Sequence, residues 1–244
     1  MAKEPLNIVT LRRVSYNDRH SIITAWSRER GRVSLLVPDN AGRSGARARA
    51  LMAPPSLAGC LADIRPGRDI FTVSDIRPLH PLADLRANPL KSMVAMFLAE
   101  VMAAILRESQ PDAPLFDFVK LALERLDALT EPRAVANFHL CFLYQLGRFL
   151  GVEPDASTWR PGRLLDMHDG LFRATPPPHA DFLDAAESEA AALMSRMTFD
   201  NIKKWRLTRH QRNRSLDVIL RYFAIHLAPG LAQMQSLEVF RALS

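Results

Sequence analysis

Cysteine is scarce in this sequence, whose 244 residues include only Cys60 and Cys141. The two lie far apart among apolar residues, as buried reduced thiols do. Without a clustered histidine pair, two thiols cannot supply the four ligands of a structural zinc site. The sequence therefore argues against both a disulfide framework and a structural zinc module.

Long apolar runs are missing as well. The longest, residues 93–106, contains Glu100 and is shorter than the roughly 20 residues that a bilayer requires. The first residues lack the apolar segment and cleavage site of a secretory signal. We expect a cytoplasmic protein that has no membrane partner.

Catalytic motifs are also lacking. The sequence has no P-loop, no dinucleotide fingerprint, no nucleophile elbow and no zinc-protease helix motif, and its seven histidines are scattered. We expect no catalytic residue, no metal and no cofactor. One alternative is a metal-dependent nuclease or hydrolase that uses Asp166 and Asp169, with His168 and His179 nearby. An exposed polar loop accounts for these four residues equally well.

Positive charge is what the sequence does have. The net charge is +6, and residues 1–80 hold 13 Lys and Arg against 7 Asp and Glu, whereas the rest of the chain is balanced. Hydrophobic residues make up 48% of the chain, as in ordinary globular proteins. A basic excess confined to one part of a folded chain indicates an acidic partner, with nucleic acid first and a membrane surface second.

Short strands are predicted over residues 6–76. β-branched residues dominate several runs, and a hairpin turn is predicted near Gly31. Residues 39–50 hold glycine, alanine and arginine, and they are predicted to form a mobile basic loop. Five strands within about 75 residues are typical of a small barrel or sandwich.

Helices are predicted after a proline-rich junction at residues 77–89. Asn88 and Pro89 suit a helix start, and the almost wholly apolar residues 133–151 predict a central helix that ends at Gly151. Thr208 is predicted to cap a later helix. The fold class is therefore α+β, with one domain at residues 1–78 and an all-α domain at residues 79–244. Residues 152–180 form an irregular excursion without zinc cysteines.

The first basic group lies in the strand-rich part, where arginine forks can bind phosphate. Its members are Arg12, Arg13, Arg19, Arg28, Arg30, Arg32, Arg43, Arg47 and Arg49. Tyr16, Trp26 and Phe71 are candidates for stacking on bases, although each of them suits a hydrophobic core too. We interpret this group as a DNA-binding surface, against the alternative of an ordinary solvated basic surface.

The second basic group contains no acidic residue. Its members are Lys203, Lys204, Arg206, Arg209, Arg212 and Arg214. Three interpretations stay open: phosphate binding, capture of an acidic peptide, and pairing with Asp181, Asp184, Glu187 and Glu189 of the preceding predicted helix.

Residues 8–37, "IVTLRRVSYNDRHSIITAWSRERGRVSLLV", resemble the opening of the RecO family of DNA repair and recombination mediators. The matching positions are Tyr16, Asn17 and Asp18 at the first turn, and Ser27, Glu29, Gly31 and Arg32 at the hairpin. Residues 216–243 are similar to the terminal helices of the family. Many members carry a four-cysteine zinc module after the central helix, and the absence of cysteine from residues 152–180 resembles a zinc-free branch.

This resemblance implies an N-terminal OB-fold barrel, a helical C-terminal domain and no catalytic centre. It also implies binding of single- and double-stranded DNA, strand annealing, and loading of RecA with RecR onto DNA coated by single-strand-binding protein. The resemblance also implies a role for the second basic group, because the helical domain of RecO family members binds the acidic C-terminal tail of single-strand-binding protein. A pure protein adaptor remains a further alternative.

Overall fold

The computed structural model describes residues 3–39, 42–107, 110–234 and 236–243. Its chain divides into two compact units, Met1–Ala128 and Leu129–Ser244. The described part contains no helix long and apolar enough to cross a membrane.

A closed five-stranded barrel forms the beginning of the first unit. Its strands are β1 (Glu4–Asn17), β2 (His20–Ser27), β3 (Gly31–Pro38), β4 (Leu57–Asp63) and β5 (Ile70–His80). The order is β1-β2-β3-β5-β4, and pairing of β1 with β4 closes the ring. β3 and β5 run parallel, while the other neighbouring strands are antiparallel. The predicted five-stranded barrel is confirmed.

Alternation along the strands explains why the barrel closes. On β2 and β3, Ile23, Ala25, Val33 and Leu35 belong to the buried core, and the residues between them face outward. Closure also removes the two open edges that a flat sheet would leave.

Gly31 opens β3 at the predicted hairpin turn. Its φ of +64° lies in the left-handed region that glycine adopts without strain. A Cβ at this position would overlap the backbone of Gln110. Both the turn and its close approach to Gln110 therefore require glycine.

The predicted mobile basic loop is wrong for residues 43–50, which belong to helix α1 (Arg43–Met52). Residues 40 and 41 lie outside the described part. Alanine and arginine are strong helix formers, and Ala48 and Met52 are buried against the barrel core. The loop was predicted from the glycines, and that prediction overlooked the narrow apolar face that Ala48 and Met52 form on α1.

Three helices complete the first unit: α2 (Ala83–Ala87), α3 (Pro89–Ile105) and α4 (Ala113–Ala128). The Asn88 side chain accepts hydrogen bonds from the Leu90 and Lys91 amides, and Pro89 occupies the first turn, so the predicted start of α3 is confirmed. Because α2–α4 group with the barrel, the first unit extends beyond residue 78. Separate folding domains at 1–78 and 79–244 stay a prediction.

The second unit is mainly helical. Its helices are α5 (Pro132–Phe149), α6 (Ala185–Met194), α7 (Arg209–His226) and α8 (Ser236–Leu243). Most of α5 is buried, and Gly151 follows it with a φ of +69°, as predicted for the central helix. Thr208 forms a capping box with Gln211 at the start of α7.

The excursion before α6 adds a feature that an all-α domain lacks. β6 (Leu164–Leu165) and β7 (Phe172–Arg173) form a two-stranded antiparallel sheet, and Asp166 forms a bridge with Phe182. The residues there are too few and too irregular in pattern for sequence periodicity to reveal them.

Candidate functional site

Two arginines of the first basic group are neutralised by carboxylates. Arg28 donates Nε and Nη2 to the Asp117 carboxylate at 3.0 and 3.1 Å. Arg30 binds Glu4 in the same bidentate way, at 2.9 Å for both bonds. The bond from Arg28 lowers the pKa of Asp117. These two guanidiniums are held within the first unit and offer little net charge to DNA.

Asp39 holds two more arginines of the group. Arg13 and Arg49 pair with its carboxylate, and the Ser21 hydroxyl also donates to it. The bond from Ser21, followed by that from Arg13, lowers the Asp39 pKa to about 2. This cluster fixes α1 against the barrel.

Of the other five arginines of the group, four are exposed and take no part in these ion pairs: Arg12, Arg19, Arg43 and Arg47. None of the four has a side-chain partner among the residues that the structure describes. Arg43 and Arg47 stand four residues apart on α1, whose first turn has no acidic residue. Like charges at this spacing destabilise a helix by roughly 0.2–0.5 kcal/mol, and a bound anion would relieve that repulsion.

The three aromatic candidates have different environments. Tyr16 is 59% exposed, whereas Trp26 is 3% exposed. Phe71 is partly buried and packs against the barrel core. Tyr16 is therefore the member of this set that can stack on a base.

Arg68 was missed by the sequence interpretation. It is exposed in the turn between β4 and β5, and the turns of such barrels take part in binding oligonucleotides. Neighbouring Arg65 pairs with Asp63. The available signal was the position of Arg68 just after Pro66 and Gly67, a dipeptide that marks turns.

A groove of about 410 Å³ lies beside the second basic group, within the second unit. Its floor is mainly apolar, and its size is typical of ligand pockets. The lining residues are Tyr144, Ala186, Glu187, Ala190, Ala191, Leu193, Met194, Trp205, Leu207, His210, Gln211, Arg214, Ser215 and Val218. α6, α7 and the segment between them thus build one concave surface.

Within the second basic group, Arg214 lines this groove and pairs with Glu187. The predicted pairing with the preceding helix is therefore present for this residue. Lys203 Nζ lies 3.7 Å from Glu131. Lys204 and Arg206 are exposed and flank the lining residue Trp205.

The other two members contact backbone carbonyls. Arg209 donates to Arg241 at 2.7 Å, and Arg212 donates to Leu207 at 2.8 Å. Burial, followed by the charge of Arg209, lowers the pKa of Arg212. The six cations therefore do not form one uniform stripe.

The carboxylates of the alternative hydrolase are engaged by a cation. Arg173 pairs with both Asp166 and Asp169. Across the described residues, no group of three or more His, Cys, Asp or Glu side chains is placed to hold a metal. The hydrolase hypothesis gains no support from this geometry.

Hydrogen bonds and ring stacking organise the excursion at residues 152–180. The rings of His168 and His179 stack with centroids 4.2 Å apart. His168 Nε2 lies 2.9 Å from Asp181, and His179 Nε2 lies 3.3 Å from Asp166. The excursion contains no cysteine, so the donor set does not fit a four-cysteine zinc module.

His139 lies on α5 and is fully buried, and its ring makes a T-shaped contact with the ring of Phe240. Burial, together with the charge of Arg212, lowers its pKa to about 3. A histidine that stays neutral at physiological pH and has no access to solvent suits a core position.

A five-stranded barrel followed by a mainly helical region defines an α+β protein. Its barrel unit carries exposed arginines, and its helical unit carries a groove with cations beside it. A family model of the C-terminal part of recombination protein O matches residues 86–235. The DNA repair protein RecO of Phocaeicola vulgatus is 33% identical over 96% of both chains. Those of Porphyromonas gingivalis strain W83 and Bacteroides fragilis strain YCH46 are 35% and 30% identical, over 91% and 96% of both chains. The chain belongs to the RecO family of DNA repair and recombination proteins, which are non-catalytic mediators.

Proposed function

We propose that this protein binds single- and double-stranded DNA, anneals complementary strands and, with RecR, helps to load RecA onto DNA coated by single-strand-binding protein. The observation that carries the proposal is the exposed arginine set Arg12, Arg19, Arg43 and Arg47 on the barrel unit. Arg43 and Arg47 stand on one face of α1 and repel each other, so a phosphate backbone is the ligand that suits them.

Annealing needs no nucleotide hydrolysis. Two DNA strands repel each other through their phosphates, and arginines that neutralise several phosphates also release condensed counterions. The repulsion between the strands falls, and base pairing proceeds. Tyr16 adds an exposed ring on which a base can stack, at a contribution of about 1–3 kcal/mol per base.

The groove between α6 and α7 is proposed to take the C-terminal tail of single-strand-binding protein. Its apolar floor suits hydrophobic side chains, and Arg214 at its edge suits a carboxylate. Lys204 and Arg206 stand next to the groove and would attract an acidic peptide. DNA phosphate is the competing ligand for these cations.

The proposal also includes the zinc-free character of this chain and a cytoplasmic location in association with the nucleoid. Zinc independence is supported by the contacts that arginine, histidine and aspartate side chains make within residues 152–180. The location follows from the need to reach chromosomal DNA.

Salt-dependent DNA binding is the test of the DNA surface. A double variant, Arg43→Ala with Arg47→Ala, is compared with a control that removes two exposed arginines from the helical unit, Arg133→Ala with Arg160→Ala. The slope of log affinity against log salt should fall by about 0.7 for each phosphate of single-stranded DNA that the variant no longer binds. Equal slopes for the double variant and wild type would remove α1 from the DNA surface.

Peptide binding tests the groove separately. Fluorescence anisotropy of a labelled tail peptide compares wild type with a variant in which Lys203, Lys204, Arg206 and Arg209 are alanine, and DNA binding is measured in parallel. Loss of peptide binding alone supports the tail site, whereas loss of DNA binding alone assigns these residues to the DNA surface. A protein that is not stabilised by DNA in thermal unfolding would instead be a pure adaptor.

A further inference from the structure

Two arginines attach to the last turn of α3. Arg32 of β3 donates Nη1 to the carbonyls of Ala103 and Leu106 at 2.8 and 2.9 Å. Arg107, just after the helix, donates Nε to the Ala104 carbonyl at 2.9 Å. The two guanidiniums are therefore held at the same turn, although Arg32 and Arg107 belong to distant parts of the sequence.

Arg12 belongs to the same neighbourhood. It pairs in register with Thr24 of β2, which in turn pairs with Ser34 of β3, two positions from Arg32. Alternation places Arg12 and Arg32 on the outer face of these strands, since Val33 and Leu35 face the core. Burial, followed by the charges of Arg107 and Arg12, lowers the pKa of Arg32.

The positive charge here is only partly compensated. The carbonyls that end a helix carry about half a negative charge in total. Arg32 and Arg107 both donate to them, and the charge of Arg12 acts on Arg32 as well. None of the three has a carboxylate partner among residues 3–39, 42–107, 110–234 and 236–243. Arg28 and Arg30 nearby each have such a partner, so the shortage of acid is local to this turn.

Arg12 and Arg107 are also exposed, whereas the half-buried Arg32 is fixed by its two carbonyls. An arrangement with one fixed guanidinium and two accessible ones suits a tetrahedral anion with several acceptor oxygens. The outer face of β2 and β3 is the surface on which barrels of this topology bind oligonucleotides.

We propose that Arg12, Arg32 and Arg107 form a phosphate-binding notch, which holds one backbone phosphate of DNA as the strand passes from the barrel to the end of α3. The inference rests on the proposed DNA-binding function and adds Arg107, which lies outside the strand-rich part. Arg12 and Arg107 contact the phosphate, and Arg32 is a positioning residue as well as a source of charge.

The notch is tested by Arg107→Gln and Arg12→Gln, with Arg133→Gln as a control of equal charge on the helical unit. Affinity for a labelled single-stranded oligonucleotide is measured over a range of salt. Arg107→Gln should reduce the slope of log affinity against log salt by about 0.7, while Arg133→Gln keeps the wild-type slope. Thermal unfolding of each variant shows whether the fold is kept.

A methylphosphonate scan assigns the contact to one phosphate. Oligonucleotides with one neutral linkage at successive positions should reveal a position at which wild type loses affinity severalfold and Arg107→Gln loses none. If Arg107→Gln and wild type show the same slope of log affinity against log salt and the same methylphosphonate profile, the phosphate-binding notch is wrong. The proposed DNA binding would be unaffected by that result. A wild-type protein without salt-dependent DNA binding would overturn the proposed function itself.

Discussion

Glu187 of α6 pairs its carboxylate with the guanidinium of Arg214 on α7, and both side chains line the groove proposed for an acidic tail. The carboxylate of Glu187 is mostly buried, whereas the side chain of Arg214 is more than half exposed. In the free protein, Glu187 therefore holds the position that a carboxylate of the peptide would take.

We predict that Glu187→Gln tightens binding of the tail peptide roughly two- to fivefold, because one partly screened charge no longer competes for Arg214. Arg214→Ala should weaken binding. Glu189→Gln is the matched control, since Glu189 is exposed on the same helix and does not line the groove. A weaker complex with Glu187→Gln would show that Glu187 positions Arg214 for the peptide instead of competing with it.

Lys91 is 1% exposed at the start of α3. Its ammonium group pairs with Asp84 and donates to the Asp127 carbonyl at 2.7 Å, so it joins the end of α4 to α2. We predict that Lys91→Ala lowers the free energy of unfolding by about 2–4 kcal/mol, because packing is weakened and a carbonyl is left unsatisfied.

Lys91→Met should cost less than Lys91→Ala, since it retains the volume of the stem. The control is Lys120→Ala, which removes an ion pair to Glu124 on the surface of α4, at about 0.2–0.5 kcal/mol. Urea unfolding measures all three variants. Equal losses of stability for Lys91→Ala and Lys120→Ala would contradict a structural role for the buried ammonium.

The stability of the fold at acid pH depends on the ionisation of Asp39. Its pKa is about 2 in the folded protein and about 3.9 in an unfolded chain, so the ionised form stabilises the fold. The contribution is present above the unfolded value and is lost as pH falls through the folded value.

Asp39→Asn should therefore make stability less dependent on pH between about 4 and 2. Urea unfolding at a series of pH values gives the slope for wild type and variant. Parallel curves for the two proteins would mean that Asp39 is not held by Ser21, Arg13 and Arg49 in solution.

The thiols of Cys60 and Cys141 are buried, and burial raises the pKa of each to about 12. We predict that neither thiol reacts with a thiol-specific reagent at pH 8 in the native protein, and that both react in denaturant.

Chelators should leave the melting temperature of the protein unchanged. A drop in melting temperature with EDTA would contradict the zinc-free proposal.

Local signals were sufficient for much of the fold. Asn88 with Pro89, Thr208 and Gly31 each marked a boundary correctly, because caps and tight turns depend on a few adjacent residues. α1 was missed because a short helix with a narrow apolar face becomes recognisable only against the barrel that it covers. The two-stranded sheet in the excursion was missed since four residues carry no usable period.

The DNA surface shows the limit of the sequence more sharply. The positions of arginine and lysine in the sequence identified the basic groups, but they gave no means of telling Arg28, which is paired, from Arg43, whose charge is available. Asp117, which neutralises Arg28, is 89 residues away, and Arg107, which approaches Arg32, follows a different element.

The sequence by itself determined the α+β order, the five strands and the starts of α3 and α7, since these follow from periodicity and caps, and its motifs carried the resemblance to one family that implied the barrel. The tertiary structure alone decided which arginines keep their charge available, where the groove lies and which arginines meet at the end of α3. Ion pairs and concave surfaces bring together side chains from distant segments. The number of residues between two side chains in the sequence does not tell how far apart they lie in the folded protein.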